Sequence, residues 1–216
     1  MSIIKKFLSP LKETGKYLLK KPFTVMYPRE PAVVKERWRG IHQLDWNKCI
    51  GCGMCARTCP NATIDYIFEW GVDPRQPKNM KMRRPTIDYG HCAFCGLCVE
   101  ACPTGALKFT PNYRLFVTGN DRIGLIKLPY EISQNAPNKN IAEKEKIQYL
   151  LQTDLIARAV GGEQEDKIRE LQKQWLSIYY DYLDKKITED EFRKRTDEIT
   201  KRVLDLVREG TLPVVR

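Results

Sequence analysis

Cys49-Ile50-Gly51-Cys52-Gly53-Met54-Cys55-Ala56-Arg57-Thr58-Cys59-Pro60 is the stretch on which the reading of this 216-residue chain turns. It returns 43 residues later as Cys92-Ala93-Phe94-Cys95-Gly96-Leu97-Cys98-Val99-Glu100-Ala101-Cys102-Pro103. Both runs have the form C-x2-C-x2-C-x3-C-P, and together they hold all eight cysteines. Eight cysteines gathered between residues 49 and 102 are too few, and too clustered, for a disulfide scaffold in a chain of this length.

This spacing suits a [4Fe–4S] cluster. A cubane needs four thiolates pointing inward from different directions. Three cysteines two residues apart wrap a short loop around three corners, and the fourth corner lies beyond that loop. In two-cluster ferredoxins the last cysteine of each run ligates the other cluster. On that pattern cluster 1 takes Cys49, Cys52, Cys55 and Cys102, and cluster 2 takes Cys92, Cys95, Cys98 and Cys59. The crossing ties the halves together and sets the clusters close enough for direct electron tunnelling. Gly51, Gly53 and Gly96 let the loops take positive φ and bring N–H groups toward sulfur. Pro60 and Pro103 turn the chain away, and Ile50, Met54, Phe94 and Leu97 are expected to shield the clusters. Zinc sites use four ligands, usually as separated C-x2-C pairs, so two unbroken runs of four speak against zinc.

Around the ligands the expected fold is α+β. Ala62–Phe68 and Ala106–Phe109 alternate like strands, Ile41–Trp46 and Pro85–Asp88 are their expected partners, and helices start near Met54 and Leu97. Each half then reads strand, cluster loop, short helix, strand. The insert Gly71–Arg84 carries Arg75, Lys78, Lys81, Arg83 and Arg84 against Asp73 alone, which suits either a docking loop or an exposed insertion. The expected organisation is an N-terminal helix and docking segment at 1–40, a two-cluster domain at 41–112, a linker at 113–140 and a helical tail at 141–216.

Net charge is +10, all of it in residues 1–138, since residues 139–216 balance. Such a face meets nucleic acid, anionic lipid or an acidic partner; without interleaved aromatics on a recognised module, nucleic acid is not expected. The charged fraction of 30% excludes a multi-span membrane protein, and no apolar run approaches the roughly 20 residues of a membrane helix. The N-terminus lacks the apolar stretch of a secretory signal, so a cytosolic chain is expected. Ser9-Pro10 reads as an N-cap followed by proline at the first helical position, with Leu11, Leu18 and Leu19 on one side and Lys12, Lys16, Lys20 and Lys21 elsewhere. A basic amphipathic helix of this kind lies on a bilayer or packs on partner subunits.

In the tail, Ile147, Leu150, Leu151 and Leu155 predict one helix over 141–159, ended by Gly161-Gly162. A second helix carries Ile168, Leu171, Trp175, Ile178 and Tyr182 on one face. Thr188-Glu189-Asp190-Glu191 reads as a capping box opening a third, with Phe192, Ile199, Val203 and Leu206 inward. The last two form an antiparallel hairpin at about 163–210. Leu183–Phe192 is similar to the short helical hairpin called SHOCT, and an assembly or interaction module is expected, with a lineage-specific stabilising tail as the alternative. His91, beside Cys92, packs or meets solvent; His42 is expected to orient Arg37–Arg39.

The chain resembles the two-cluster ferredoxin-type subunit of complex I, also found in membrane-bound hydrogenases and related archaeal respiratory complexes. The resemblance covers roughly residues 22–117: the two cysteine runs, Pro22-Phe23-Thr24-Val25 with Tyr27-Pro28, and Arg37-Trp38-Arg39-Gly40-Ile41-His42-Gln43-Leu44, which fits R-[FW]-R-G-x-H-x-L. It implies two [4Fe–4S] clusters relaying electrons through the peripheral arm of a membrane-associated, ion-translocating oxidoreductase on its cytoplasmic side. It further implies a hetero-oligomer whose other subunits carry the upstream and terminal clusters, with membrane subunits or bilayer beside the N-terminal segment. The chain is then no enzyme on its own and has no catalytic residue. The alternative is an independent ferredoxin-type carrier, or an adaptor of a soluble oxidoreductase.

Overall fold

The computed structural model describes residues 3–30, 33–115, 117, 122–137 and 141–210; the expectations for residues 1–2, 138–140 and 211–216 fall outside these. The backbone divides into two units, residues 1–35 and 36–216.

The first unit contains helix α1 (Ile3–Leu18), which runs through Pro10 instead of starting there. Proline has no N–H to give and removes one i→i−4 bond, but the other turns remain paired, so the helix extends past the expected cap. Thr14 Oγ1 donates to the carbonyl of Pro10 at 3.0 Å. Among the described residues no helix is long and apolar enough to cross a membrane.

The second unit is a mixed helix-and-sheet domain with a helical C-terminal part. Its first half comprises β1 (His42–Leu44), α2 (Met54–Arg57) and β2 (Ile64–Ile67), and its second half β3 (Arg84–Asp88), α3 (Leu97–Glu100) and β4 (Leu107–Phe109). The halves pair across each other. Antiparallel β1 and β4 align His42 with Phe109 and Leu44 with Leu107. Antiparallel β2 and β3 align Ile64 with Ile87 and Ile67 with Arg84. Leu44, Ile64, Ile87, Ala106 and Leu107 form the buried core between the two ladders.

The segment 113–140 is not a plain linker. Strand β5 (Ile126–Lys127) pairs with β3 through Ile87–Lys127 and Asp88–Ile126, and helix α4 (Pro129–Ile132) buries Pro129, Tyr130 and Ile132. Ile126, Leu128 and Ile132 supply an apolar surface that a solvated linker lacks, and the Glu131 carboxylate accepts the Leu128 N–H at 2.8 Å, capping α4.

The single helix expected over 141–159 is two, α5 (Glu143–Leu150) and α6 (Leu155–Val160). Thr153 breaks it: both its N–H and its hydroxyl donate to the carbonyl of Leu150, each at 2.9 Å, which competes with the helical ladder. Helices α7 (Glu163–Leu183) and α8 (Glu189–Gly210) form the expected hairpin. The buried stripe of α7 centres on Ile168, Gln172, Trp175 and Tyr179, whereas Leu171, Ile178 and Tyr182 lie at its flanks. Thr188 caps α8, its Oγ1 accepting the Glu191 N–H at 3.4 Å.

The hairpin's apolar face is covered by the chain's own two-cluster half. Trp70, just before the insert, meets Tyr149, Trp175, Tyr179 and Phe192 with ring centroids 5.2–6.2 Å apart. Gln152 closes a paired bond with the backbone of Phe68, accepting its N–H at 2.9 Å and donating to its carbonyl at 3.2 Å. Arg158 donates to the carbonyl of Ala62 at 2.6 Å, and Arg75 of the insert pairs with Asp184 at 2.7 Å. Trp175 is fully buried at this seam. We expect Trp175→Ala to destabilise the chain by about 3–5 kcal/mol. Trp175→Phe costs less, because the indole N–H has no partner among the described residues. Thermal unfolding of the two variants checks this.

Candidate iron–sulfur centres

The ladder pairing decides which cysteines meet. Cys102 stands just ahead of β4, and β4 pairs with β1, which leads into the loop of Cys49, Cys52 and Cys55. Cys59 stands just ahead of β2, and β2 pairs with β3, which leads into the loop of Cys92, Cys95 and Cys98. Two cavities result. Cys49, Cys52, Cys55 and Cys102 line one of about 400 Å³ including its open mouth. Cys59, Cys92, Cys95 and Cys98 line the other, of about 320 Å³. Among the described residues no three His, Cys, Asp or Glu side chains are placed to hold a single metal ion. The donor set fits a polynuclear cluster.

The two loops are built alike. Gly53 and Gly96 precede α2 and α3 with φ of 81° and 88°, a left-handed conformation that suits glycine. A Cβ at Gly53 would stand 2.7 Å from the Tyr66 hydroxyl and from Arg83; one at Gly96 would stand 3.3 Å from Phe109 and 3.4 Å from Arg39. Each loop is thus overlaid by one aromatic ring and one arginine. Arg83 does more than fill space: its Nε donates to the Gly51 carbonyl at 2.7 Å and its Nη2 to that of Cys52 at 2.9 Å. Its guanidinium lies 4.6 Å from the Tyr66 ring centroid, and the Tyr66 hydroxyl donates to the Gly53 carbonyl. By sequence Arg83 is one of five basic residues of the insert Gly71–Arg84, expected as a docking loop or an exposed insertion. Arg83 directly precedes β3 whereas Arg39 stands three residues before β1, so the 43-residue repeat does not align the two arginines and gives no signal for this role.

Burial pushes the Cys55 thiol up to about 11, with Cys49, Cys52 and Cys102 adding to it. Burial pushes Cys98 up to about 12, with Cys92 and then Cys55 of the other set adding. A thiol of the first set thus adds to the rise at Cys98. Cys59 and Cys102 behave differently. Burial raises each, but donors outweigh it and both end below the ordinary thiol value. Around Cys59 these include the Thr63 hydroxyl at 3.2 Å and the Thr63 N–H at 3.4 Å. Around Cys102 they include the Leu107 N–H and the Thr104 hydroxyl. The turn ahead of each second strand favours thiolate, the form that binds metal.

His42 does not orient Arg37–Arg39 as expected. It is buried, its Nε2 lies 3.4 Å from Cys98 Sγ, and burial lowers its pKa to about 4, so the ring is neutral. His91 turns to solvent and pairs through Nδ1 with Asp88 at 2.7 Å. Of the expected shielding residues, Ile50 lines the first cavity and Phe94 the second, whereas Met54 and Leu97 are exposed and line neither.

Residues 48–106 match the family described as the 4Fe-4S dicluster domain. The chain is 37% identical over 132 residues to the NAD(P)H-quinone oxidoreductase subunit I of Microcystis aeruginosa, covering 58% of this chain and 67% of that protein. It is 43% identical over 60 residues to the F(420)H(2) dehydrogenase subunit I of Methanosarcina mazei, covering 28% of this chain and 34% of that protein. The chain thus spans about two thirds of the first relative's length and one third of the second's. Among solved structures, a chain of the membrane-bound sulfane sulfur reductase, an archaeal respiratory membrane complex, matches with a TM-score of 0.40 at 34% identity, over 69% of this chain and 68% of that one. Two [4Fe–4S] clusters are the cofactors of this domain.

Arg83 holds the first loop through two carbonyls, and a hydrogen bond to a charged group contributes about 1.5–3 kcal/mol. Removing one such bond corresponds to roughly a tenfold change. We expect Arg83→Ala, which removes both bonds, to speed chelator-driven iron loss from the first site about a hundredfold and to leave the second unchanged. Site-resolved EPR during chelation checks this, and equal loss from both sites would contradict it.

Proposed function

We propose a function for a chain that belongs to the subunit I family of the NAD(P)H-quinone oxidoreductases: it relays single electrons through two [4Fe–4S] clusters in the peripheral arm of a membrane-associated oxidoreductase. It makes and breaks no bond itself. The observation that carries this reading is the pair of cavities, each lined by three cysteines of one run and the last cysteine of the other. Cys49, Cys52, Cys55 and Cys102 hold cluster 1, and Cys92, Cys95, Cys98 and Cys59 hold cluster 2. Bound clusters of this type supply one-electron transfer at potentials of roughly −700 to +450 mV. The chain's own residues position and insulate them. Arg83 and Tyr66 fix the first loop from outside, and Phe94, Phe109 and Tyr89 surround His42 beside the second.

The partners in this reading are subunits carrying the upstream and terminal clusters, and the arm stands on the cytoplasmic side. Helix α1, with Leu11 and Leu18 set against Lys12 and Lys16, meets a membrane subunit or the bilayer surface. Ion translocation belongs to the other subunits of the complex. The domain division is 1–40, 41–112 and 141–216, with residues 122–133 counted to the two-cluster half on account of β5 and α4.

Two measurements test this. Purification of the full chain under argon from source membranes is expected to bring down a large oxidoreductase complex; elution alone from the soluble fraction would favour an independent carrier. Cys55→Ser and Cys102→Ser, 47 residues apart, are expected to disturb the same cluster in EPR. Loss of different clusters would refute the crossed ligation.

A further inference from the structure

Residues 43 apart hold matching places around the two cavities: Cys55 and Cys98, Gly53 and Gly96, Tyr66 and Phe109. On the first strand of each half the match breaks. His42 lines the second cavity, and its counterpart Pro85 lines the first. We infer that His42 is a potential-setting residue, whose Nε2–H donates to Cys98 Sγ and raises the reduction potential of the second cluster relative to the first. The inference rests on Cys98 ligating that cluster.

The geometry carries it. The Nε2–Sγ distance is 3.4 Å. A ligating cysteine is a thiolate and only accepts, so the ring proton sits on Nε2. The opposite tautomer would turn a lone pair on sulfur and leave a proton on Nδ1, which has no partner among the described residues. The ring is held in place. Its centroid is 4.6 Å from that of Phe109, 5.7 Å from Tyr89 and 6.2 Å from Phe94. The His42 backbone N–H donates to the Tyr89 hydroxyl at 3.0 Å. At 2% exposure, water does not compete for the bond, and in so dry a site it acts at low dielectric. An added electron increases the negative charge on sulfur, so a donor aimed at sulfur stabilises the reduced state more than the oxidised one. Pro85 offers no side-chain donor, and the two sites differ in this respect despite their common plan.

The test is an anaerobic redox titration of the full chain with both clusters in place, read by EPR. For His42→Phe we expect the second cluster's reduction equilibrium to fall about tenfold, which is 59 mV for one electron, with the first cluster unmoved. His42→Gln keeps an N–H donor and is expected to recover part of the shift. An unchanged potential in His42→Phe, or an equal drop in both variants, overturns the inference. Should His42→Phe fail to retain iron at the second site, pulsed EPR decides, on the His91→Gln chain labelled with 15N-histidine. In that chain His42 alone carries the label, since the sequence has two histidines. A nitrogen coupling to the second cluster supports the inference, and its absence overturns it. Cys98→Ser separates the two readings. If it disturbs the cluster of Cys49, Cys52 and Cys55 in place of its own, the ligation fails and not the hydrogen bond.

Discussion

The antiparallel pairing of each half's first strand with the other half's last strand is the constraint on which this molecule depends. Neither half forms a ladder alone, since β1 finds its partner in β4 and β2 in β3. The exchange carries Cys102 to the first loop and Cys59 to the second. Each cavity with four thiols therefore exists only when its own ladder, joining the two halves, has formed. The core between them, with Leu44, Ile87, Ala106 and Leu107 nearly or fully buried, supplies the hydrophobic drive for that pairing. Metal binding and sheet formation draw on one geometry, and each reinforces the other.

Symmetry explains how the sites are made, and its breaches explain how they differ. An arginine arrives ahead of the first strand of one half and lies over the cluster loop of the other: Arg83 at Gly53 and Arg39 at Gly96. An aromatic side chain on each last strand, Tyr66 or Phe109, completes the cover. The Tyr66 hydroxyl reaches a loop carbonyl, which Phe109 cannot do. Thr63 donates to Cys59, while its counterpart 43 residues on, Ala106, has no hydroxyl to give. One backbone plan thus hosts two electrostatic environments.

The cysteine spacing made the two sites legible, because the ligand geometry of a cubane dictates it locally. The four strands were legible from their alternation, as were the ends of α7 and α8 from Gly162 and Thr188. Contacts between residues distant in sequence were not. His42 stands 56 residues from Cys98, and Arg83 stands 32 from Gly51. Only the ladder register brings either pair together. The stretch 122–133 read as linker because β5 has two residues and α4 four, too short for any periodicity to register. The break between α5 and α6 escaped notice because the apolar spacing continues across it, while the Thr153 hydroxyl redirects the backbone. The hairpin's inward face was legible; its cover was not, since nothing local says that Trp70 fills it.

That shared cover has a consequence for the order of synthesis. All eight cysteines and Trp70 leave the ribosome before Trp175, Tyr179 and Phe192, the rings that enclose Trp70. At roughly 5–20 residues per second, the helical part arrives several seconds after the cysteine loops. In that interval the nascent chain presents its ligands to the cell's iron-delivery machinery together with a bare aromatic surface. The order of residues along the chain thus sets the ligands ahead of the cover that the helical part supplies.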